Sequence, residues 1–161
     1  MPPVVEEILE FWFNEAGPLK WFQQDDAFDQ SVSKRFEKIN QEARRGSLDF
    51  WKKTPIGCLA LIIILDQFSR NIYRKSALAW STDFYAIMLS RMAINREYDK
   101  EFDFEKRKFL YMPFMHSENL DDQKYSLILF KKLAREWGEE GNETLKFALR
   151  HHDIIASFSR F

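Results

Sequence analysis

Apolar residues recur at helical spacing along most of the chain. Val4, Val5, Ile8, Phe11 and Trp12 mark one face after Pro2 and Pro3, which suit a helix start, and Asn14, Gly17 and Pro18 end that helix. A short connection carries Trp21 and Phe22 to Asp25 and Asp26, caps for a second helix with Phe28, Val32, Phe36, Ile39 and Ala43 inward and Gly46 as terminator. Thr54 and Pro55 read as N-cap and first residue of a third helix. From Ile56 to Leu65 that helix is apolar all round, which predicts a central, enclosed element.

Ser76 is placed to cap a long helix with Trp80, Phe84, Ile87, Met88 and Met92 on its inner face. Asp103 caps the next, with Phe104, Phe109, Leu110 and Met112 inward, and Pro113 kinks or ends it by removing a backbone donor. A helix after Asn119 carries Leu127, Phe130, Leu133 and Trp137, with Gly138 closing it. The last begins near Asn142 and runs through Leu145, Ala148, Leu149, Ile155 and Ala156. About seven helices, with no convincing strand and no flexible linker, predict an all-α protein forming a single domain over 1–161.

Composition narrows the function classes. Only 5 Gly and 5 Pro occur among 161 residues, too few turn formers for a β-sandwich and too few glycines for a dinucleotide fingerprint or a phosphate-cradling loop. A net charge of −1 offers no basic field for nucleic acid or anionic lipid, so neither partner is expected. The uncharged apolar stretch from Pro55 to Leu65 is short for a membrane span, and the N-terminus carries acids where a secretory signal needs positive charge. With a single cysteine, Cys58, inside that apolar run, a cytoplasmic protein is expected.

Three polar segments could carry chemistry. In Leu65-Asp66-Gln67-Phe68-Ser69-Arg70-Asn71, Asp66 shares a helix face with Leu59, Ile62 and Arg70, and Arg74 follows one turn later. Asp66 could act as a base or ligand anchor, with Arg70 and Arg74 holding an anion; the preferred reading is an ion pair tying the helix end. In Met112-Pro113-Phe114-Met115-His116-Ser117-Glu118-Asn119, His116 could shuttle a proton and Glu118 could orient it. For Glu118 a place at the positive end of a helix is preferred, together with Asp121 and Asp122.

In the third segment, Arg150-His151-His152-Asp153, both histidines fall in a broad apolar arc. His152 lies beside Leu145, Ala148, Leu149 and Ala156 on the helical wheel, as a pocket-lining or a satisfied core histidine would. Adjacent histidines point about 100° apart and cannot share one ion without distortion. No metal-binding motif is present, and a mixed site of His116, His152 and a carboxylate would have to be assembled across the fold.

Taken in order, Ile8-Leu9-Glu10-Phe11-Trp12-Phe13, Trp21-Phe22, the Asp66 segment, Tyr111 through Glu118 and His151 through Phe161 resemble a bacterial family known as the domain of unknown function 924. The resemblance covers essentially the whole chain. It implies a tetratricopeptide-like helical fold of antiparallel helix pairs, although no repeat consensus is readable, and it implies no established activity. Its motif positions are Asp66, Arg70, Asn71, Pro113, His116, Glu118, Asp153 and Arg160. Ser69 stands where a proline is common. His151-His152 replaces the more usual His-Arg, so that His151 matches the motif histidine. Members commonly continue past Phe161 with Pro-His-Arg-Asn and a tail, which implies a shortened chain here.

The first expectation for function is a small-ligand or peptide-binding module with a polar pocket where the Asp66, His116 and His151/His152 segments meet. Its candidate residues are Asp66, Arg70, Asn71, Arg74, His116, Glu118, His151, His152, Asp153 and Arg160. The second is a small hydrolase or lyase using His116 with Asp66 or Glu118, with or without a metal. The third is a structural protein-interaction domain whose polar motifs are caps and ion pairs. No cofactor is implied, and an oligomer is left open.

Overall fold

Helices form through most of residues 1–161, which the computed structural model describes in full, and no strand is present. The chain divides into two compact units, Met1–Leu89 and Ser90–Phe161. Each is described by itself.

In the first unit, α1 (Pro3–Glu10) runs into a π-helical turn at Phe11–Ala16, and the short α2 (Pro18–Trp21) follows. Pro18 therefore starts a helical turn as well as following the end of the first helix. The Trp21 indole N–H donates to the Trp12 carbonyl at 2.8 Å, holding that turn against the π-turn. α3 (Asp26–Arg44) is capped as its sequence predicts, with the Asp25 carboxylate accepting the Phe28 N–H at 3.1 Å. A 3-10 turn, Asp49–Lys53, leads to α4 (Pro55–Ile62), whose N-cap Thr54 accepts the Gly57 N–H at 3.1 Å.

α4, a second π-turn at Ile63–Phe68 and α5 (Ser69–Ile72) form one helical run. By length and composition Pro55–Ile72 could cross a membrane, but 78% of it is buried inside the fold. Its all-round apolarity is thus met by packing, with every residue from Cys58 to Leu65 inaccessible to solvent. Gly57 permits the close approach on which this depends, because a Cβ there would lie 2.3 Å from the Trp51 carbonyl oxygen. Phenyl rings fill the remaining space: Phe36 stacks on Phe68 at 4.8 Å, and Phe11 meets Phe36 at 5.0 Å.

The Tyr85 hydroxyl donates to the Asp49 carboxylate. That hydrogen bond holds Asp49 below the usual carboxylate range against the opposing effect of burial, with Lys52 assisting. In turn, burial and then the Asp49 carboxylate push the Tyr85 phenol up. A depressed Asp49 contributes stability above its unfolded pKa and loses it as pH falls through the lower folded value. Tyr85→Phe is therefore expected to raise the Asp49 midpoint and shrink this acid-side loss. Carboxyl carbon NMR through the acid range checks it; an unmoved midpoint would remove the phenol as the cause.

One helix start and one helix face differ from expectation. Ser76 caps only the 3-10 turn Ala77–Ala79, its hydroxyl accepting the Leu78 N–H at 3.2 Å, and α6 (Asp83–Asn95) opens later. Trp80, Phe84 and Met88, expected inward, are 57%, 75% and 53% exposed, whereas Ile87 is buried as expected and Ala86, Leu89 and Ala93 are buried beside it. Both sides of α6 are apolar, so periodicity does not define its inner face. The side with small residues is the one that allows close backbone approach.

α6 continues into the second unit, where a 3-10 turn, Tyr98–Glu101, precedes α7 (Phe104–Met115). Asp103 caps α7 by accepting the Lys106 N–H at 3.1 Å. Pro113 lies inside α7 and does not end it; the His116 N–H still reaches the Met112 carbonyl at 3.3 Å. Residues Arg107 to Met115 are all buried, so side-chain packing holds the last turn despite the missing donor. Asn119 then caps α8 (Leu120–Phe158), accepting the Asp121 N–H at 2.8 Å. Gln123 fastens the connection by donating to the Met115 and Ser117 carbonyls at 2.8 and 2.6 Å.

Gly138 closes the first helical half of α8, as its sequence predicts. α8 turns at Trp137 and Gly138, the glycine at φ 56° and ψ −121°, and resumes before Asn142. Gly141 is buried where the two halves of α8 meet, and a Cβ there would lie 2.5 Å from the Leu133 carbonyl oxygen. The Arg107 guanidinium lies 4.7 Å from the Trp137 ring centre and bonds Glu136 at 2.7 Å, bracing the bend from α7.

Candidate functional site

The π-turn at Ile63–Phe68 is locally wider than an α-helix, and side chains serve several of its carbonyls. The Asn40 amide donates to the Ile64 carbonyl at 2.9 Å, and the Thr82 hydroxyl donates to the Leu65 carbonyl at 2.9 Å. Ser69 belongs to the same network, its hydroxyl accepting from Asn40 at 3.0 Å. A proline at this position could not supply that group.

Asp66 projects from this turn and is 1% exposed. Arg70 lies 3.3 Å from its carboxylate and donates to its backbone carbonyl at 2.6 Å. The same guanidinium makes a two-pronged pair with Asp83, both bonds at 3.0 Å. The Gln67 amide donates to the second Asp66 oxygen at 2.7 Å. Burial opposes the charge on Arg70, but the fields of Asp66 and Asp83 outweigh it and hold its pKa above the ordinary value.

Asn71 and Arg74 both reach Asp29 on α3. The Asn71 amide donates at 2.8 Å, and Arg74 donates through Nε at 2.5 Å and Nη2 at 2.8 Å. The hydrogen bond to Asp29 raises the Arg74 pKa despite partial burial. Each arginine therefore has its planar fork turned onto a carboxylate of this chain, where an anionic ligand would have to compete. Asp83 and Asp29 were not legible as partners. Asp83 lies at the start of a helix and Asp29 in the first turn of one, where acids are ordinary.

In the second unit, His116 is the C-cap residue of α7 and is half-buried. Its ring centre lies 6.3 Å from that of His151. The His151 Nδ1–H donates to the Phe147 carbonyl at 2.7 Å; since a carbonyl only accepts, this contact selects the tautomer and orients the ring. The Phe161 ring stands edge-on to His151 at 5.3 Å, and the Phe161 backbone N–H donates to Glu118 Oε1 at 3.1 Å. Glu118 precedes the N-cap of α8 and is used on that amide, while Asp121 and Asp122 occupy the first helical turn.

His151, the motif histidine, is thus the one packed beside His116. His152 meets Asp153 instead, Nδ1 to carboxylate 3.2 Å, with Asp153 77% exposed. Its expected apolar neighbours Leu149 and Ala156 are themselves exposed. Arg160 is exposed as well. Ser117 donates to Asp122 at 2.8 Å, and Asp122 in turn accepts from Arg91 at 2.7 Å, a network that holds the α7–α8 connection. No group of three or more His, Cys, Asp or Glu side chains is arranged to hold a metal ion. The Asp66 group belongs to the first unit and the His116 group to the second.

Together these features define an all-helical protein with buried ion pairs in one unit and paired imidazoles in the other. Residues 8–161 match the family described as "Bacterial protein of unknown function (DUF924)", and the chain belongs to that family. It is similar to a solved structure of a protein of unknown function from Agrobacterium tumefaciens, with 35% identity and a TM-score of 0.88 over 99% of this chain and 86% of that one. No curated protein matches it.

Proposed function

We propose that the protein is a small-ligand or peptide-binding module of the bacterial cytoplasm, with its site at His116, His151 and Glu118. One observation carries this reading: two half-buried imidazoles stand 6.3 Å apart beside an exposed carboxylate on the connection that follows α7. Imidazole and carboxylate together offer hydrogen-bond donors and acceptors to a polar molecule near neutral pH. The tautomer selected at His151 gives that site a defined orientation. Arg70 and Arg74 support a structural role instead, since Asp66, Asp83 and Asp29 fill their forks.

Imidazole NMR of the protein titrated with a panel of amino acids, short-chain amines and dipeptides tests the site. Concerted shifts of His116 and His151 are expected with at least one class, weakened about tenfold in Glu118→Ala. If no member of the panel moves either ring, the site reading falls.

A further inference from the structure

Glu118 and His151 already hold a piece of polypeptide. The two groups they engage on Phe161 are a main-chain N–H, which every residue but proline offers, and an aromatic ring. We infer that this site takes a peptide segment bearing an aromatic side chain, and that residues 159–161 occupy it as an intramolecular competitor. The inference rests on the binding-module reading and names its ligand class.

The backbone at the end of α8 supports the assignment. Ser159 is the C-cap residue at φ 59° and ψ 10°, a left-handed conformation that residues other than Gly, Asn and Asp rarely adopt. Its own N–H still bonds the Ile155 carbonyl at 2.9 Å, so the helix is intact up to the turn. Beyond that turn Phe161 reaches Glu118, a residue 43 positions earlier in the chain.

The recognising groups are held in place before any ligand arrives. His151 is oriented by its bond to Phe147, and an oriented ring presents its face or edge to an incoming aromatic ring at little ordering cost. Glu118 lies on a connection pinned at both ends by Gln123, Ser117 and Asn119. A carboxylate accepting a main-chain N–H is a charge-assisted bond that does not depend on the neighbouring side chains. The ring is what adds selectivity.

Phe161 is held loosely. It is 51% exposed, unlike the core phenylalanines, so a ligand displaces a half-solvated ring rather than a packed one. Because it is tethered, it competes at an effective concentration of roughly millimolar and lowers the apparent affinity of any peptide added from solution.

The test is fluorescence anisotropy with a labelled Ala-Ser-Phe-Ser-Arg-Phe amide peptide, which copies residues 156–161, on wild type and Phe161→Ala. Phe161→Ala is expected to bind about fivefold tighter or more, because the tethered ring is gone. In that background Glu118→Gln, or a methyl on the amide nitrogen of the peptide's last Phe, is expected to remove most of the gain. Replacing both peptide phenylalanines by alanine is expected to abolish binding, and free phenylalanine amide tests whether the ring alone suffices. Equal peptide affinity in wild type and Phe161→Ala would overturn the competitor, and no binding to Phe161→Ala would overturn the peptide class. If small polar molecules shift His116 and His151 while the peptide does not, the site survives and this inference fails; if neither binds, both fall. Circular dichroism confirms that each variant retains its helix content.

Discussion

Arg70→Ala is expected to lower the unfolding free energy by about 3 kcal/mol, at the lower end of the range for removing one partner of a buried ion pair. Exposed pairs contribute about 0–1 kcal/mol, so the size of the loss decides which kind of pair this is. Asp66 is 1% exposed and Asp83 is 19% exposed, while Arg70 retains 23% exposure, which places the cost below that of a fully enclosed cation. Without the guanidinium, two carboxylates from separate turns keep their burial and lose the positive charge between them. Arg70→Lys is expected to recover part of the loss, since an ammonium restores the charge but not the two parallel bonds to Asp83. The deficit of Arg70→Ala should shrink as pH falls, because protonating the carboxylates removes the cost of burying their charge. Urea unfolding at neutral and mildly acid pH measures both effects. A loss below about 1 kcal/mol, or one independent of pH, would mark the pair as a solvated surface contact.

Gly141→Ala is expected to destabilise the protein by about 3 kcal/mol, the opposite sign to helix propensity. In an exposed helix interior the same change stabilises by about 1 kcal/mol. Here the new methyl would lie 2.5 Å from the Leu133 carbonyl oxygen and 2.6 Å from the Ala134 Cα, both backbone atoms that cannot rotate away. Relief requires opening the bend at Trp137 and Gly138, which would also pull Trp137 from beneath Arg107. Thermal unfolding followed by circular dichroism reads the sign directly. An unchanged or raised midpoint would show that the halves of α8 are not in contact at this position.

These two residues illustrate where sequence reading succeeds and where it stops. Caps were legible because they act within four residues: Asp25, Thr54, Asp103 and Asn119 each bond an N–H in the first turn of the helix they begin. Arg70 and Asp66 were legible as an i,i+4 pair for the same reason. Asp83 and Asp29 were not, because their arginines arrive from 13 and 45 residues away and nothing in a local pattern records that. Gly57 stands inside an all-apolar helix, a position where glycine marks a close approach. Gly141 carries no such local sign, since its contact comes from Leu133 and Ala134 across the bend in α8.

The face of α6 has a similar explanation. Large apolar residues stand on more than one side of the helix, and hydrophobicity alone does not say which of them are core. Close packing made the choice, burying Ala86, Ser90 and Ala93 together with Ile87 and Leu89 and leaving Phe84 and Met88 in solvent. The wheel likewise drew attention to His152, whereas the bend in α8 and the turn at Ser159 surround His151 with His116 and Phe161.

By itself the sequence determined that this protein is all-helical, where most helices begin, that the run from Pro55 is enclosed, and which segments are polar enough to hold a site. Those properties follow from periodicity, capping and burial of apolar surface, which are local or additive along the chain. Tertiary structure alone decided which carboxylate each arginine meets, which side of α6 is inward and which histidine stands beside His116. Each of those depends on the approach of segments distant in sequence, where a few ångströms separate a bonded pair from two solvated groups.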